Sequence, residues 1–379
     1  MNLWRMLGIS TFLLGMVCFI SAANYAGGQD KDKDKKDKAA EVKDKKTDDK
    51  DKKAEDKDKD KKADDKDKKA EEKKPEVKQP DKVEPKVTGG DTFVFKAFDP
   101  KGKPFFQEVT TKTKQTIKVM GQEVVQDQSQ TFIIQWTPKE MAGKDYVVAQ
   151  RIVGVKMSIE IGGNKISYDS TVQNQPKNPM TDFFMQLMKP ENELIFTISP
   201  DLKVSKIEGR DKFIKALSDI NPQMKGLLDA ILSTDALTKM SEPTWWAFPS
   251  GGSATKGKTW SEKSKLDLGP IGTYDTIFDF TYAGAGKVDY KTKLKYTAPT
   301  KKEGLPFIIH DAELTSDNGA GEATFDFTKG RFSKTKLEMK LTGTLTIEVG
   351  NMRTSVSLTQ SQDATTITSD ENPWGAEKK

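Results

Sequence analysis

Of this 379-residue chain, Gly252-Ser253-Ala254-Thr255-Lys256-Gly257-Lys258-Thr259 comes nearest to a chemical motif, because it fits G-x-x-x-x-G-K-[ST]. In a phosphate loop the backbone amides cradle phosphate, the Lys reaches its outer oxygens and the hydroxyl holds the metal. That cradle works only between a buried strand and the N-terminus of a helix. Here Pro243-Thr244-Trp245-Trp246-Ala247-Phe248-Pro249 comes before, and Trp260–Leu268 alternates like a strand afterwards. The match at Gly252, Gly257, Lys258 and Thr259 is therefore read as a false positive, a Gly/Ser-rich connection into a strand. No cofactor is expected.

His310 and Cys18 are single representatives of their types. One His and one Cys exclude His/Cys zinc sites, haem and iron–sulfur ligation, and no metal site is expected. In Phe307–Leu314, His310 shares strand parity with Ile308, Ala312 and Leu314, so it is expected to point inward. Asp311 takes the opposite face, which leaves a Ser–His–Asp arrangement without support. Paired carboxylates for glycoside chemistry meet only in three dimensions, so a hydrolase with a carboxylate site stays open as an alternative. No catalytic residue is assigned, and the chain is expected not to be an enzyme.

Two clusters could contact a ligand instead. Met188 and Met224 belong to Met-bearing helical stretches, and such faces adapt to variable apolar molecules. Trp245 and Trp246, with Phe248, could form an aromatic platform or a packing wedge. Met188, Met224, Trp245 and Trp246 are the candidate ligand contacts.

These residues need a scaffold, and period-2 alternation supplies it. Val153, Val155, Met157, Ile159 and Ile161 share a face, and Gly162-Gly163-Asn164 turns the chain into Lys165–Thr171. Val288–Tyr296 and Thr335–Val349 alternate in the same way, and Gly350-Asn351 leads into Met352–Leu358. Further strands are predicted at Thr92–Ala97, Phe105–Val119, Thr131–Thr137, Tyr274–Tyr282, Phe307–Leu314 and Ala323–Thr328. One apolar and one charged face per strand argue for antiparallel sheet with one side wet. Asn178-Pro179 and Asn221-Pro222 open helices, and Arg210–Ile220 carries a third helical stripe. The fold class is α+β and β-dominated: long antiparallel strands in a strongly curved sheet or open barrel. A central block of about three helices, near 178–241, is expected to cover the apolar face.

The N-terminal part has a different character. Met1–Arg5 carries one positive charge, Met6–Ala23 is apolar, and Ser21-Ala22-Ala23 supplies small residues for cleavage. Residues 1–23 thus read as a signal peptide. If this segment stays uncleaved, it is the chain's route to a membrane. Residues 24–89 read as a disordered spacer, since Asp30–Lys86 is built almost wholly of Lys, Asp, Glu and Ala. Its charges nearly balance, so the far field cancels and a nucleic-acid partner is not expected. Residues 90–366 form the β-rich globular domain, and 367–379 are expected to be a disordered tail.

The opening Gly90-Asp91-Thr92-Phe93, the strand Gln150–Ile161, Ser167–Thr171 and "FTISPDLKVSKIEG" from Phe196 to Gly209 carry a resemblance, with Phe248-Pro249 and Gly257-Lys258-Thr259-Trp260. On these the chain resembles an uncharacterised family of exported bacterial proteins of planctomycete type, a domain of unknown function. The resemblance would cover most of residues 90–365 and implies no activity, ligand or catalytic residue. The first expectation is a non-enzymatic exported protein, periplasmic or extracellular, free or envelope-tethered, that binds an apolar small molecule or a cell-envelope component. A structural or surface-spacer component is the alternative.

Overall fold

The computed structural model describes residues 92–94, 102–200, 202–241, 247–249, 252–300, 305 and 307–375. The expected signal peptide, the spacer, and Trp245 and Trp246 lie outside them. The dominant strands are β2 (Phe105–Val119), β3 (Gln122–Pro138), β4 (Tyr146–Ile161), β5 (Asn164–Asp169), β6 (Leu194–Ile198) and β7 (Val204–Glu208). They continue after the helices as β9 (Thr259–Asp267), β10 (Thr273–Gly284), β11 (Lys287–Thr297), β12 (Ile308–Asp326), β13 (Arg331–Val349) and β14 (Met352–Ser369). All twelve join one antiparallel sheet in the order β7-β6-β4-β3-β2-β14-β13-β12-β11-β10-β9, with β5 beside the far end of β4. A small separate pair joins β1 (Thr92–Val94) to β8 (Ser253–Thr255).

The sheet is curved but not closed, because β7 and β9 do not pair. Between those edges runs the helical block: α1 (Pro179–Leu187), α2 (Arg210–Ser218), α3 (Lys225–Ile231) and α4 (Thr234–Ser241). Asn178 caps α1 as the sequence suggests, its side chain accepting from the Thr181 amide, with Pro179 in the first turn. The stripe expected from Met224 to Leu232 begins with a 3-10 turn at Pro222–Met224 and continues as α3. Helix α4 lies against both β7 and β9, so the block bridges the two open edges while its buried Leu217, Leu228 and Leu237 join the core.

The outer face is organised by charge. Exposed Lys265 on β9 meets Asp275 on β10, and Asp275 and Asp279 meet Lys295 and Lys291 on β11. Farther along, Glu322 on β12 pairs with Lys336 on β13, and Lys114 and Lys118 on β2 pair with Asp127 and Glu123 on β3. Opposite charges directly across a strand pair each add about 0.2–1 kcal/mol and oppose a slip of register. A lipid-facing wall would need an apolar band here, and each Lys at mid-bilayer would cost about 2–4 kcal/mol. This face belongs in water.

Three expectations are corrected. Phe307–Leu314 and Ala323–Thr328 are not separate strands but parts of the 19-residue β12. The intervening Ser316-Asp317-Asn318-Gly319 looks like a turn, yet β11 and β13 pair with β12 on both sides of it, and it survives only as a bulge. His310 does not point inward. A second bulge between Ile309 and Asp311 changes the parity, and His310 Nε2 lies 2.7 Å from Glu348 Oε2 at the outer face. Arg353 Nε donates to the same oxygen at 2.7 Å, and these two hydrogen bonds, the Arg353 one foremost, hold the Glu348 carboxyl below its usual range.

The third correction concerns the C-terminus. The domain does not stop at residue 366, because β14 runs to Ser369 and the chain then packs back on the sheet. Asp370 takes Lys329 Nζ at 2.6 Å and also the guanidinium of buried Arg331. The Trp374 ring lies on Gly154, where a Cβ would sit 2.7 Å from it, and Lys156 Nζ stands 4.7 Å from the ring centroid. Gly154 provides the flat spot that lets an indole seal Ile133 on an otherwise polar face. Trp374→Ala is expected to lower stability by about 2 kcal/mol, read as an earlier urea-unfolding midpoint, and Trp374→Phe by less.

Candidate functional site

The inner face of the sheet carries two kinds of lining. On β10 and β11 its positions are Tyr274, Thr276, Phe278, Phe280 and Tyr282, then Val288, Tyr290, Thr292, Leu294 and Tyr296, all buried. Trp260 of β9 stacks on Phe280 with centroids 5.3 Å apart, and Tyr274 meets its cross-strand neighbour Tyr296 at 5.0 Å. Two phenols are anchored to backbone: Tyr296 Oη donates to Ile271 O at 2.5 Å, and Tyr290 Oη to Lys336 O at 2.6 Å.

Burial, augmented by the neighbouring phenol of Tyr296, pushes the Tyr274 hydroxyl well above the ordinary tyrosine range, and burial raises Tyr296 as well. The folded chain therefore holds both phenols neutral. The stability this contributes is complete below the unfolded value of 10.0 and is lost as pH rises above it, because the unfolded chain ionises first. The expected result is a melting temperature that falls steeply above about pH 10, with phenolate absorbance from these two residues arising only on unfolding. Tyr296→Phe should flatten that fall.

On β2, β3 and β14 the lining changes. Gln126, Gln128 and Gln130 stand in line along β3, Thr111, Thr113 and Gln115 along β2, and Gln360 and Gln362 along β14, all buried. The registers set them side by side: Gln115 between Gln126 and Gln360, Thr113 between Gln128 and Gln362, and Thr111 beside Gln130. Gln126 Nε2 donates to Gln128 Oε1 at 3.3 Å, and Gln128 Nε2 to Gln130 Oε1 at 3.2 Å. The ladder does not satisfy every group. Among the described residues no partner meets Thr113 Oγ1, either amide atom of fully buried Gln115, or Gln130 Nε2. A buried polar group left unpaired costs about 1–3 kcal/mol. The inner positions of β2, β3, β10, β11 and β14 carry no Asp, Glu, Lys or Arg, so no pair of facing carboxylates arises among them.

Sequence reasoning missed this band, although its signal was present. Gln126-x-Gln128-x-Gln130, Thr111-x-Thr113-x-Gln115 and Gln360-x-Gln362 share the period of 2 that puts residues on one face of a strand.

The residues singled out from the sequence are dispersed. In the phosphate-loop match, Ser253–Thr255 is β8 and Thr259 opens β9, so a strand follows where a helix would be needed. The amides are engaged, Gly257 N with Tyr282 O at 2.8 Å and Lys258 N with Thr255 O at 2.9 Å. Lys258 Nζ donates to Ser253 O at 2.7 Å, within its own loop. Met188 ends α1, Met224 ends the 3-10 turn, and both are half-buried against the core. Phe248 packs edge-on to Phe325 at 5.2 Å and Phe332 at 5.7 Å. An open depression of about 580 Å³ on the outer face is lined by Asp279, Asp289, Lys291, Glu322, Lys336 and Glu338. Its charges largely serve one another, as Lys287 Nζ shows at 3.3 Å from both Asp289 and Glu322.

A family model of unknown function, DUF6263, matches residues 143–373. The chain belongs to that family. Its match takes in every strand from β4 to β14 and the whole helical block. No curated protein matches the chain. Among solved structures the chain is similar to one titled for lipid–protein interactions in lipovitellin, at 10% identity and a TM-score of 0.39. That alignment covers 71% of this chain and 25% of that one, so the chain spans about a quarter of its length. It is also similar to OccK5 (OpdH) of Pseudomonas aeruginosa, at 8% identity and TM-score 0.20, covering 70% and 98% of the two chains. The translocator domain of the autotransporter NalP from Neisseria meningitidis aligns at 6% identity and TM-score 0.16, covering 70% and 88%.

Proposed function

We propose that this is an exported, non-enzymatic protein of a planctomycete-type bacterium that holds an apolar ligand in the hollow of its curved sheet. The observation that carries this reading is the lining. Apolar and aromatic side chains run along the inner face from Val204 on β7 to Leu266 on β9, and helices bridge the two edges where no ladder of hydrogen bonds closes them. Helix packing on a strand edge yields more readily than a strand ladder, so the seam is where a ligand enters. Met188 and Met224 stand on that block, and thioether side chains re-pack around different apolar shapes. Export rests on the apolar segment Met6–Ala23 and its small-residue end, and the charged stretch that follows serves as a spacer.

The test is dye uptake by the full chain. N-phenyl-1-naphthylamine should gain fluorescence and shift to the blue on mixing with the protein, and a long-chain alcohol should reverse both. Met188→Trp with Met224→Trp should weaken uptake by replacing the adaptable thioethers that the helical block packs against the core. A dye signal no greater than that of an unrelated β-rich protein would defeat this reading and leave a structural or spacer role.

A further inference from the structure

The polar band on β2, β3 and β14 is unusual because it lies where the curved sheet should be most apolar. A purely structural core would place Leu or Val there, as β13 does with Leu337 and Leu341. Instead the registers gather amides and hydroxyls from three adjacent strands, and several of their polar atoms meet no partner among the described residues. Gln115 is 0% exposed with both ends of its amide unanswered, and Thr113 and Gln130 are each 4% exposed. Unpaired atoms of this kind mark a place where something else completes the hydrogen bonds.

We infer that Thr113, Gln115, Gln126, Gln128, Gln130 and Gln362 form a headgroup site for the uncharged, hydroxyl- or amide-bearing end of an amphipathic ligand. This rests on the apolar-ligand reading above and specifies its polar end. The chemistry follows from the side chains. Each glutamine offers an acceptor and two donors, and each threonine offers both roles, so the site suits a group that donates and accepts. A phosphate, carboxylate or ammonium would be buried there without a counter-charge, since the inner positions of these three strands carry none. The hydrocarbon end then lies toward the aromatic wall of β9, β10 and β11, across β13 and β12.

The test is competition for the naphthylamine dye on the full chain by three ligands of equal chain length: 1-lauroylglycerol, N-lauroylethanolamine and laurate. The two neutral ligands should displace the dye at concentrations at least about tenfold lower than laurate. In a Thr113→Val, Gln115→Leu double variant, dye uptake should persist while the preference over laurate shrinks to about one. The unliganded variant should also melt about 2–4 °C higher, because unanswered polar atoms have been removed from the interior. A merely structural role predicts a lower melting temperature instead. Gln130→Leu, assayed in the same way, stands in if the double variant does not fold. Laurate competing as well as the neutral ligands, or a preference that survives both variants, overturns the inference and leaves dye uptake intact. A wild-type chain that takes up no dye overturns the parent reading and this one together.

Discussion

Gly343→Ala is expected to destabilise the protein more than any other conservative change in the sheet. Gly343 sits inside β13 at φ +147, opposite Leu314 of β12. A Cβ at that position would lie 1.7 Å from Glu313 O, 2.8 Å from Glu313 C and 3.0 Å from Leu314 Cα. All three are backbone atoms, so no side chain can swing aside, and the ladder between two 19-residue strands must open. The conformation is also one that residues bearing a Cβ rarely adopt. A loss of about 4 kcal/mol is expected, which for a domain of this size lowers the melting temperature by roughly 8–16 °C. Gly121→Ala is the control. Gly121 has φ +81 but nothing within 4 Å of its would-be Cβ, so only about 1 kcal/mol of backbone strain is expected. Thermal unfolding followed by circular dichroism compares them, and equal melting temperatures would refute the steric argument.

Trp136→Ala is expected to cost about 3–5 kcal/mol. Trp136 is 1% exposed on β3, stacked with Phe105 of β2 at 6.3 Å and tilted against Phe196 of β6 at 6.1 Å. It thus ties the central strands to the branch that leads to the helical seam. Its Nε1 donates to Gln107 Oε1 at 2.9 Å, so truncation leaves a cavity and removes a hydrogen bond to a buried amide. Trp136→Phe keeps most of the apolar contact and should cost about 1–2 kcal/mol. Urea-unfolding midpoints in the order wild type, Trp136→Phe, Trp136→Ala support this account, and Phe no better than Ala would show that the ring contacts contribute little.

Much of this architecture was legible in the chain because strand periodicity is local. The bounds Phe105–Val119 expected for β2 are those observed, and the Gly350-Asn351 turn joins β13 to β14. Failures occurred where pairing partners overruled local chemistry. Ser316-Asp317-Asn318-Gly319 has the composition of a turn, but β11 and β13 hold both flanks in the sheet. The start of β3 was missed because Gln126–Gln130 lacks β-branched residues, and the same polar residues are the inner band. His310 was assigned the wrong face because parity was counted through a bulge that only the register with β13 reveals. Trp374 gave no periodic signal at all, since its contact with Gly154 spans 220 positions of sequence.

The candidate site was less legible than the sheet. Helical spacing marks Met188 and Met224 as candidates, and both stand half-buried against the core, whereas the glutamine ladder escapes a strand reading that weighs apolar residues. The phosphate-loop match illustrates the reverse. Its letters agree with a known chemistry, but Thr259 begins a strand, and Lys258 is spent on the carbonyl of Ser253.

Native mass spectrometry of the chain, purified without detergent from the cell that makes it, tests the central claim most directly. One extra species per chain is expected, extractable into organic solvent and bearing an uncharged polar end on a hydrocarbon body. A bare polypeptide mass in every preparation, unchanged after incubation with 1-lauroylglycerol, would contradict the account.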